Sequence, residues 1–157
     1  MLFTHPDPGL IKRLRRLIPI GDGWVKVFGF GPGIYPEITN ARALTKFNGL
    51  LYVGTRHSDG LQIWRTVNGT AWHQCVGPKA KIIAGFGNSS NREANHMAVL
   101  DNNLYAGTQK GVWISPDGDS WKQVTGNGIS KTAIDALTSF AGYVYAVSGK
   151  AIWRGKG

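Results

Sequence analysis

Three arginines and a tyrosine–glutamate pair are the residues of this sequence that could bind an anion or act in catalysis. Arg42, Arg56 and Arg92 could bind a carboxylate together, because guanidinium groups form paired hydrogen bonds with planar oxyanions. Tyr35 lies near Glu37, and a tyrosine can act as the nucleophile in glycosidic bond cleavage. The whole chain holds only 9 Asp and Glu residues, so we expect no catalytic residues and no enzymatic activity.

The sequence predicts neither a metal site nor a cofactor. His57, His73 and His96 lie on different predicted elements and lack the close spacing of a zinc-binding pair. The oxygen-rich run at residues 101–103 is explained by a hairpin turn without calcium. Cys75 is the single cysteine, which excludes an internal disulfide and favours a small buried side chain.

The charge balance is the one global hint about partners. The 157 residues include 18 Lys and Arg against 9 Asp and Glu, a formal net charge of +9, which favours an anionic partner or a glycan. Basic residues are dispersed except at residues 12–16, within a predicted basic tail or short helix at 1–20, and no nucleic-acid motif is present. We expect no transmembrane segment and no signal peptide, which leaves the compartment open and slightly favours the cytoplasm.

A sequence repeat must position any such site. The runs ALTKFNGLLYVGT (43–55), MAVLDNNLYAGT (97–108) and ALTSFAGYVYAVS (136–148) align with one another. Each run is followed by a turn and then by an apolar residue next to a tryptophan, at Trp64, Trp113 and Trp153. We predict that these three tryptophans are buried between neighbouring units of the repeat. The Asn-Gly pair within the first run, like the Asn-Gly and Asp-Gly pairs further along each unit, is typical of a tight hairpin. This pattern of apolar runs and turns predicts four short strands in a complete unit.

The period of the repeat predicts the fold class. Four-stranded units that recur every ~40–50 residues are typical of the blades of a β-propeller. We predict an all-β fold of propeller-type blades, each with four antiparallel strands and about three to a chain. The predicted three-blade segment at 21–157 consists of a fourth strand at 21–31, blades at 41–76 and 96–125, and a three-stranded partial blade at 136–157.

The repeat also resembles that of a known group of proteins. The string LYxGT, followed by IWR, a turn and a second tryptophan, is similar to the repeat of large bacterial and archaeal β-propeller proteins. The turn SPDGDSW (115–121) resembles a shortened Asp-box of sialidase-like propellers. The resemblance covers residues 21–157 and implies the fold. It implies little about function, because propellers include enzymes, lectins and scaffolds.

Three blades do not close a ring, since propellers typically have about 4–8 blades. Residues 24–27 repeat the fourth-strand sequence of residues 121–124, whereas the last unit has no fourth strand. We therefore predict a homodimer with six blades in which these strands pair between chains. The alternatives are another homo-oligomer, a truncated product, or an arc that binds a different protein in a larger complex. The predicted interface residues are Trp24, Val25, Val27, Ile152, Trp153 and Arg154.

One face of the predicted blades collects the loops between fourth and first strands and those between second and third strands. Long polar loops on a rigid scaffold often carry binding sites. The candidate ligand-binding residues on this loop face are Tyr35, Arg42, Arg56, Asn88, Asn91, Arg92 and Glu93. Alternatively, the asparagines only cap turns.

The sequence leaves two predicted functions. One is a non-enzymatic structural or assembly subunit that mediates protein–protein interaction, and the alternative is a carbohydrate-binding, lectin-like propeller that uses the loop face.

Overall fold

The computed structural model describes residues 23, 24, 26, 38–126 and 128–156, which form eleven strands in three antiparallel sheets. The first sheet contains β1 (Ile38–Phe47), β2 (Leu50–His57), β3 (Ile63–Thr66) and β4 (His73–Val76). The second contains β5 (Ala94–Leu100), β6 (Asn103–Thr108), β7 (Gly111–Ser115) and β8 (Lys122–Gln123). The third contains β9 (Ala136–Phe140), β10 (Tyr143–Ser148) and β11 (Ala151–Gly155). Single 3-10 turns lie at Ala84–Phe86 and Ile129–Lys131.

Each sheet is a meander, in which every strand pairs with the one that precedes it in sequence. The sheets stack face to face, and their first strands β1, β5 and β9 lie nearest one another. This is the arrangement of blades in a β-propeller, where the first strand of each blade is innermost. The prediction of an all-β fold built from four-stranded antiparallel blades is confirmed.

Tight turns explain how the first two strands of each sheet pair. β1 and β2 are joined by Asn48 and Gly49, with φ angles of 46° and 75°. β9 and β10 are joined by Ala141 and Gly142, with nearly the same φ angles of 47° and 75°. Two successive residues of positive φ make the turn whose twist matches that of the flanking strands. The predicted hairpin at the first Asn-Gly pair is therefore present.

Alternate residues of each strand form two layers of core between the sheets. Tyr52 and Ile63 point from the first sheet toward Leu104 and Ala106 of the second, and all four are buried. The next layer joins the second and third sheets, and its buried residues are Ala98, Tyr105, Val112, Ile129, Ile134, Leu137, Val144 and Ala146. Successive residues of a strand point to opposite faces, so the second sheet contributes Leu104 and Ala106 to one layer and Tyr105 to the other.

One repeated glycine marks a close approach between neighbouring sheets. A Cβ atom on Gly54 would lie 2.7 Å from the Cβ of Ala94 in the following sheet. A Cβ atom on Gly107, the equivalent residue of the second sheet, would lie 2.7 Å from the Cγ2 of Ile134. Real side chains do not approach so closely, so these contacts require glycine. The third sheet has Val147 at the equivalent position.

The repeated tryptophans do not all lie where the sequence predicted, between neighbouring sheets. Trp113 stacks on Phe86, with ring centroids 4.1 Å apart, and Trp153 packs against the layer between the second and third sheets. Trp64 is buried, but it packs with Ile38 of its own sheet on the face away from the second sheet. The prediction for Trp64 is therefore corrected, because no described sheet covers that face.

The predicted N-terminal segments fall mostly outside the described residues. The basic segment 1–20, Val25, Val27 and Tyr35 are not described. Trp24 is described, and its side chain is 90% exposed. The predicted fourth strand at 21–31 therefore stays a prediction.

Candidate functional site

The loop from residue 77 to residue 93 joins the first two sheets and carries most of the predicted ligand-binding residues. Main-chain hydrogen bonds fix its path against the loop between β2 and β3. Leu61 N–H donates to Asn91 O at 2.8 Å, Gly85 N–H donates to Leu61 O at 2.9 Å, and His57 N–H donates to Arg92 O at 3.0 Å. The two kinds of loop that were predicted to share a face therefore meet there.

Arg42, Arg56 and Glu93 come together on this face. Arg56 Nε lies 3.1 Å from Glu93 Oε1, and Arg42 Nη2 lies 4.0 Å from the same oxygen. The Glu93 side chain is largely buried, whereas both arginines are partly exposed. The carboxylate that these two arginines contact is thus supplied by the chain itself. A carboxylate ligand would have to displace Glu93 or bind at the outer edge of this cluster.

The remaining predicted residues of the loop face serve mainly to hold the loop. Asn88 Oδ1 accepts hydrogen bonds from Ser90 N–H at 3.0 Å and from the Ser90 hydroxyl at 2.7 Å. Arg92 N–H donates to Gln109 Oε1 at 3.1 Å, while its side chain is exposed. Asn91 is fully buried, and its amide donates to Gly85 O at 3.4 Å. For Asn88, the structure shows the turn-capping alternative that the sequence left open.

A polar cavity of about 390 Å³ lies between this loop and the second sheet. It is lined by Gly85, Phe86, Asn88, Asn91, Lys110, Trp113, Gln123, Ser130 and Lys131. Two predicted residues, Asn88 and Asn91, are part of it, whereas the arginines and Glu93 are not. Sequence reasoning did not select Lys110, Trp113, Gln123 or Lys131 as site residues, although both lysines lie on the loop face that it defined.

The second candidate surface is the open face of the third sheet, which we define by Phe140, Tyr143, Tyr145, Val147, Ile152 and Arg154. These residues are cross-strand neighbours on one side of β9, β10 and β11. Phe140 and Tyr145 are in contact with ring centroids 6.3 Å apart, and the Arg154 guanidinium lies 4.4 Å from the centre of the Tyr143 ring. Trp153, which was predicted as an interface residue beside Ile152 and Arg154, points to the opposite side, into the layer between sheets.

The turn at Ser115–Trp121 is held by side-chain oxygens. Asp117 Oδ1 accepts from Ser120 N–H at 2.6 Å and from Asp119 N–H at 2.8 Å, and Ser115 Oγ accepts from Gly118 N–H at 2.7 Å. The hydrogen bond from Ser120 is the main reason that the pKa of Asp117 is lowered to about 2. Asn68 makes the equivalent contacts to Thr70 and Ala71 in the first sheet. This turn is structural in both sheets.

The described residues contain no group of three His, Cys, Asp or Glu side chains that could hold a metal ion. Cys75 is buried in β4, and burial raises the pKa of its thiol to about 12. It has the character of a packed side chain, as the sequence indicated. Over the described part of the chain, no helix has the length and apolar character needed to cross a membrane.

Comparisons with known proteins give a limited result. No protein-family model matches the chain, and no curated protein matches it in sequence. Among solved structures, the crystal structure of a thermostable family-43 glycoside hydrolase matches with a TM-score of 0.46 and 13% sequence identity. The match covers 75% of this chain and 44% of that chain, so this chain spans less than half of the hydrolase. The resemblance to bacterial and archaeal propeller proteins therefore has no support beyond the fold.

The prediction that this chain is not an enzyme is contradicted by the same comparison, because the matching protein is a glycoside hydrolase. The prediction rested on the small number of acidic residues, which is a property of the sequence alone. We withdraw it. A structural similarity of this size does not assign a reaction or a catalytic residue to this chain.

Proposed function

We propose that this chain is a propeller assembly module, which binds a second copy of itself through the open face and the outer edge of its third sheet. The observation that supports the proposal is the repeat itself. Four residues of the open face, Phe140, Tyr145, Val147 and Ile152, have equivalents in the first sheet that are buried. A surface of this composition is suited to contact another blade.

The aromatic pair of the open face shows this equivalence most directly. Phe140 and Tyr145 have ring centroids 6.3 Å apart at an interplanar angle of 55°, and Phe47 and Tyr52 have values of 5.9 Å and 59°. Phe47 is 2% exposed, because the second sheet covers it, whereas Phe140 is 70% exposed. The same local packing is therefore present with and without a covering sheet.

Ile152 on β11 shows the same difference in exposure from its equivalent in the first sheet. Its equivalent in the first sheet, Ile63, is fully buried, whereas Ile152 is 75% exposed. Burying a side chain of this size contributes roughly 1.5–3 kcal/mol. Covering Phe140 and Ile152 together would thus provide several kcal/mol toward association.

The outer edge of β11 offers main-chain hydrogen bonds as well. No strand among the described residues pairs with this edge, while β4 and β8 occupy the equivalent edges of the first two sheets. An unpaired strand edge is a template for another strand. Residues 24–27 repeat the sequence of residues 121–124, which include β8. In the proposed dimer, this segment of one copy supplies the missing fourth strand of the other.

Solution mass by light scattering tests the association. We expect a mass of about twice the 17.0 kDa of the chain. Ile152→Glu should weaken the dimer about ten-fold or more, because it places a charge on the covered face. Val67→Glu is the matched control, since Val67 is equally exposed but lies in the turn between β3 and β4, away from the open face. A wild-type monomer at all concentrations would refute the proposal.

Cysteine cross-linking tests the strand exchange. Ile114 pairs with Lys122 in the second sheet, and the equivalent residues by repeat are Arg154 and Val25. In a Cys75→Ser background, Val25→Cys with Arg154→Cys should give an oxidised dimer of two chains. Lys26→Cys with Arg154→Cys is the control, because a shift by one residue turns the side chain to the other face. Equal cross-linking of both pairs would argue against this register.

A further inference from the structure

The polar cavity beside residues 84–91 is lined by polar groups whose equivalents in the first sheet are hydrogen-bonded to one glutamine side chain. In the first sheet, Gln62 Oε1 accepts hydrogen bonds from Trp64 Nε1 at 3.1 Å and from Gln74 Nε2 at 2.7 Å. The residue equivalent to Gln62 in the second sheet is Gly111, which has no side chain. A Cβ atom on Gly111 would lie 2.5 Å from Ile129 O, so the loop at residues 129–130 packs against this position. No side chain there can accept from the tryptophan of the second sheet as Gln62 does in the first.

Without a glutamine at this position, the neighbouring polar groups of the second sheet have different hydrogen-bond partners from those in the first. Gln123, the equivalent of Gln74, turns to donate to Lys110 O at 2.6 Å and to Ser130 O at 2.8 Å. Trp113 Nε1, the equivalent of Trp64 Nε1, is buried and has no hydrogen-bond partner among the described residues. An N–H donor that lines a cavity in this state is available to a bound molecule.

Asn91 provides a second buried polar atom without a hydrogen-bond partner, and this one is an acceptor. Its side chain is fully buried, and Oδ1 has no hydrogen-bond partner among the described residues. The residue is held in place, since Asn91 O accepts from Leu61 N–H at 2.8 Å and Asn91 N–H donates to Asn88 O at 2.9 Å. Asn91 and Trp113 both line the cavity, so an unsatisfied acceptor and an unsatisfied donor are buried in its wall.

The charged residues that line the cavity indicate which class of ligand it could bind. Lys110 and Lys131 line it, and none of the described residues in its lining is acidic. Two ammonium groups favour an oxyanion, whereas the Asn91 oxygen requires a donor such as a hydroxyl group. Phe86, stacked on Trp113 at an interplanar angle of 12°, provides an apolar wall. The volume of about 390 Å³ is within the range of small-molecule sites.

We infer that this cavity binds a hydroxylated oxyanion, namely a sugar that carries a carboxylate or a phosphate. The oxyanion contacts Lys110 and Lys131, a ring hydroxyl donates to Asn91 Oδ1, and a ring oxygen or hydroxyl accepts from Trp113 Nε1. This site is separate from the open face of the third sheet. It therefore does not depend on whether the chain forms a dimer.

The test is a titration of the ¹⁵N-labelled full chain at low ionic strength with D-glucuronate, D-glucose 6-phosphate, D-glucose and inorganic phosphate. We expect the indole N–H resonance of Trp113, assigned by its loss in Trp113→Phe, to move with at least one of the two charged sugars. Which of the two moves it distinguishes a carboxylate from a phosphate as the oxyanion. The Trp121 resonance is an internal control and should stay in place, because Trp121 Nε1 already donates to Gly118 O at 3.1 Å.

Lysine variants test the charge requirement. Lys110→Gln and Lys131→Gln should each weaken binding about five-fold, while Lys46→Gln, an exposed lysine on β1 that does not line the cavity, should leave it unchanged. An unmoved Trp113 resonance with both charged sugars would overturn the proposal. An equal response to D-glucose would refute the need for an oxyanion, and an equal response to inorganic phosphate would refute the need for the sugar.

Discussion

The turn between β9 and β10 contains a strained residue whose replacement should stabilise the chain. Ala141 has a φ of 47°, in the left-handed region that alanine adopts at a cost of about 1–2 kcal/mol. Asn48 occupies the same position of the same two-residue turn in the first sheet, with a φ of 46°. Asparagine tolerates this conformation better than alanine does, because its short polar side chain can form local hydrogen bonds.

We therefore expect Ala141→Asn to raise the free energy of unfolding by about 0.5–1 kcal/mol, somewhat less than the full strain that alanine bears. For a chain of this length the melting temperature should rise by roughly 1–4 °C. The reciprocal variant, Asn48→Ala, should lower stability by a similar amount. Urea unfolding followed by far-ultraviolet circular dichroism measures both changes, and the slope of the transition should stay constant.

A neutral or destabilising Ala141→Asn variant would refute this reasoning if Asn48→Ala lowers stability as expected. It would mean that the conformation of the β9–β10 turn contributes less to the free energy of unfolding than that of the β1–β2 turn. Equal insensitivity of both turns would instead mean that the left-handed conformation is not maintained at either site. The pair of variants therefore separates an error about one turn from an error about the repeat.

Three further predictions concern the turns and the core. The pKa of Asp117 is lowered to about 2 in the folded chain, so the stability that this group contributes is present above its ordinary pKa of about 4 and is lost as the pH falls toward 2. Asp117→Asn, which mimics Asn68, should flatten the acid side of a melting temperature–pH curve, and an unchanged curve would contradict the assignment. Cys75, whose thiol pKa is raised to about 12, should resist iodoacetamide at pH 8 until the chain is unfolded, as followed by intact mass. Trp113→Ala should cost about 3 kcal/mol in urea unfolding, because it removes the ring that stacks on Phe86 at 4.1 Å, whereas a cost below about 1 kcal/mol would mean that this contact is not formed.

Features set by local sequence were predictable, and features set by the path of a loop were not. The repeat predicted the four-stranded sheets, and the Asn-Gly pair predicted the first hairpin, because both depend on residues that are close in sequence. Arg56 and Glu93 were selected for a ligand, yet they bind each other. Their pairing depends on main-chain hydrogen bonds of Asn91 and Arg92 that no sequence pattern reveals.

The polar cavity was missed for a different reason. One of its unsatisfied groups, Trp113 Nε1, lacks a partner because Gly111 stands where Gln62 accepts from the equivalent tryptophan of the first sheet. A motif search looks for residues that are present, so it does not find a donor that a missing side chain leaves without a partner. A comparison of equivalent positions between repeats, with attention to the losses, would have indicated it.

Equivalent positions of the repeat also indicate how closely another blade can approach the open face of the third sheet. Gly54 and Gly107 allow the next sheet to approach so closely that an added Cβ atom would lie 2.7 Å from it. Val147 occupies the equivalent position on β10, and its cross-strand neighbour on the same face is the exposed Ile152. A blade that docked there with the geometry of the two internal contacts would overlap the Val147 side chain. The contact between copies that we propose must therefore be wider than the internal ones at this strand, and side chains such as Phe140 and Ile152 are long enough to bridge that wider gap.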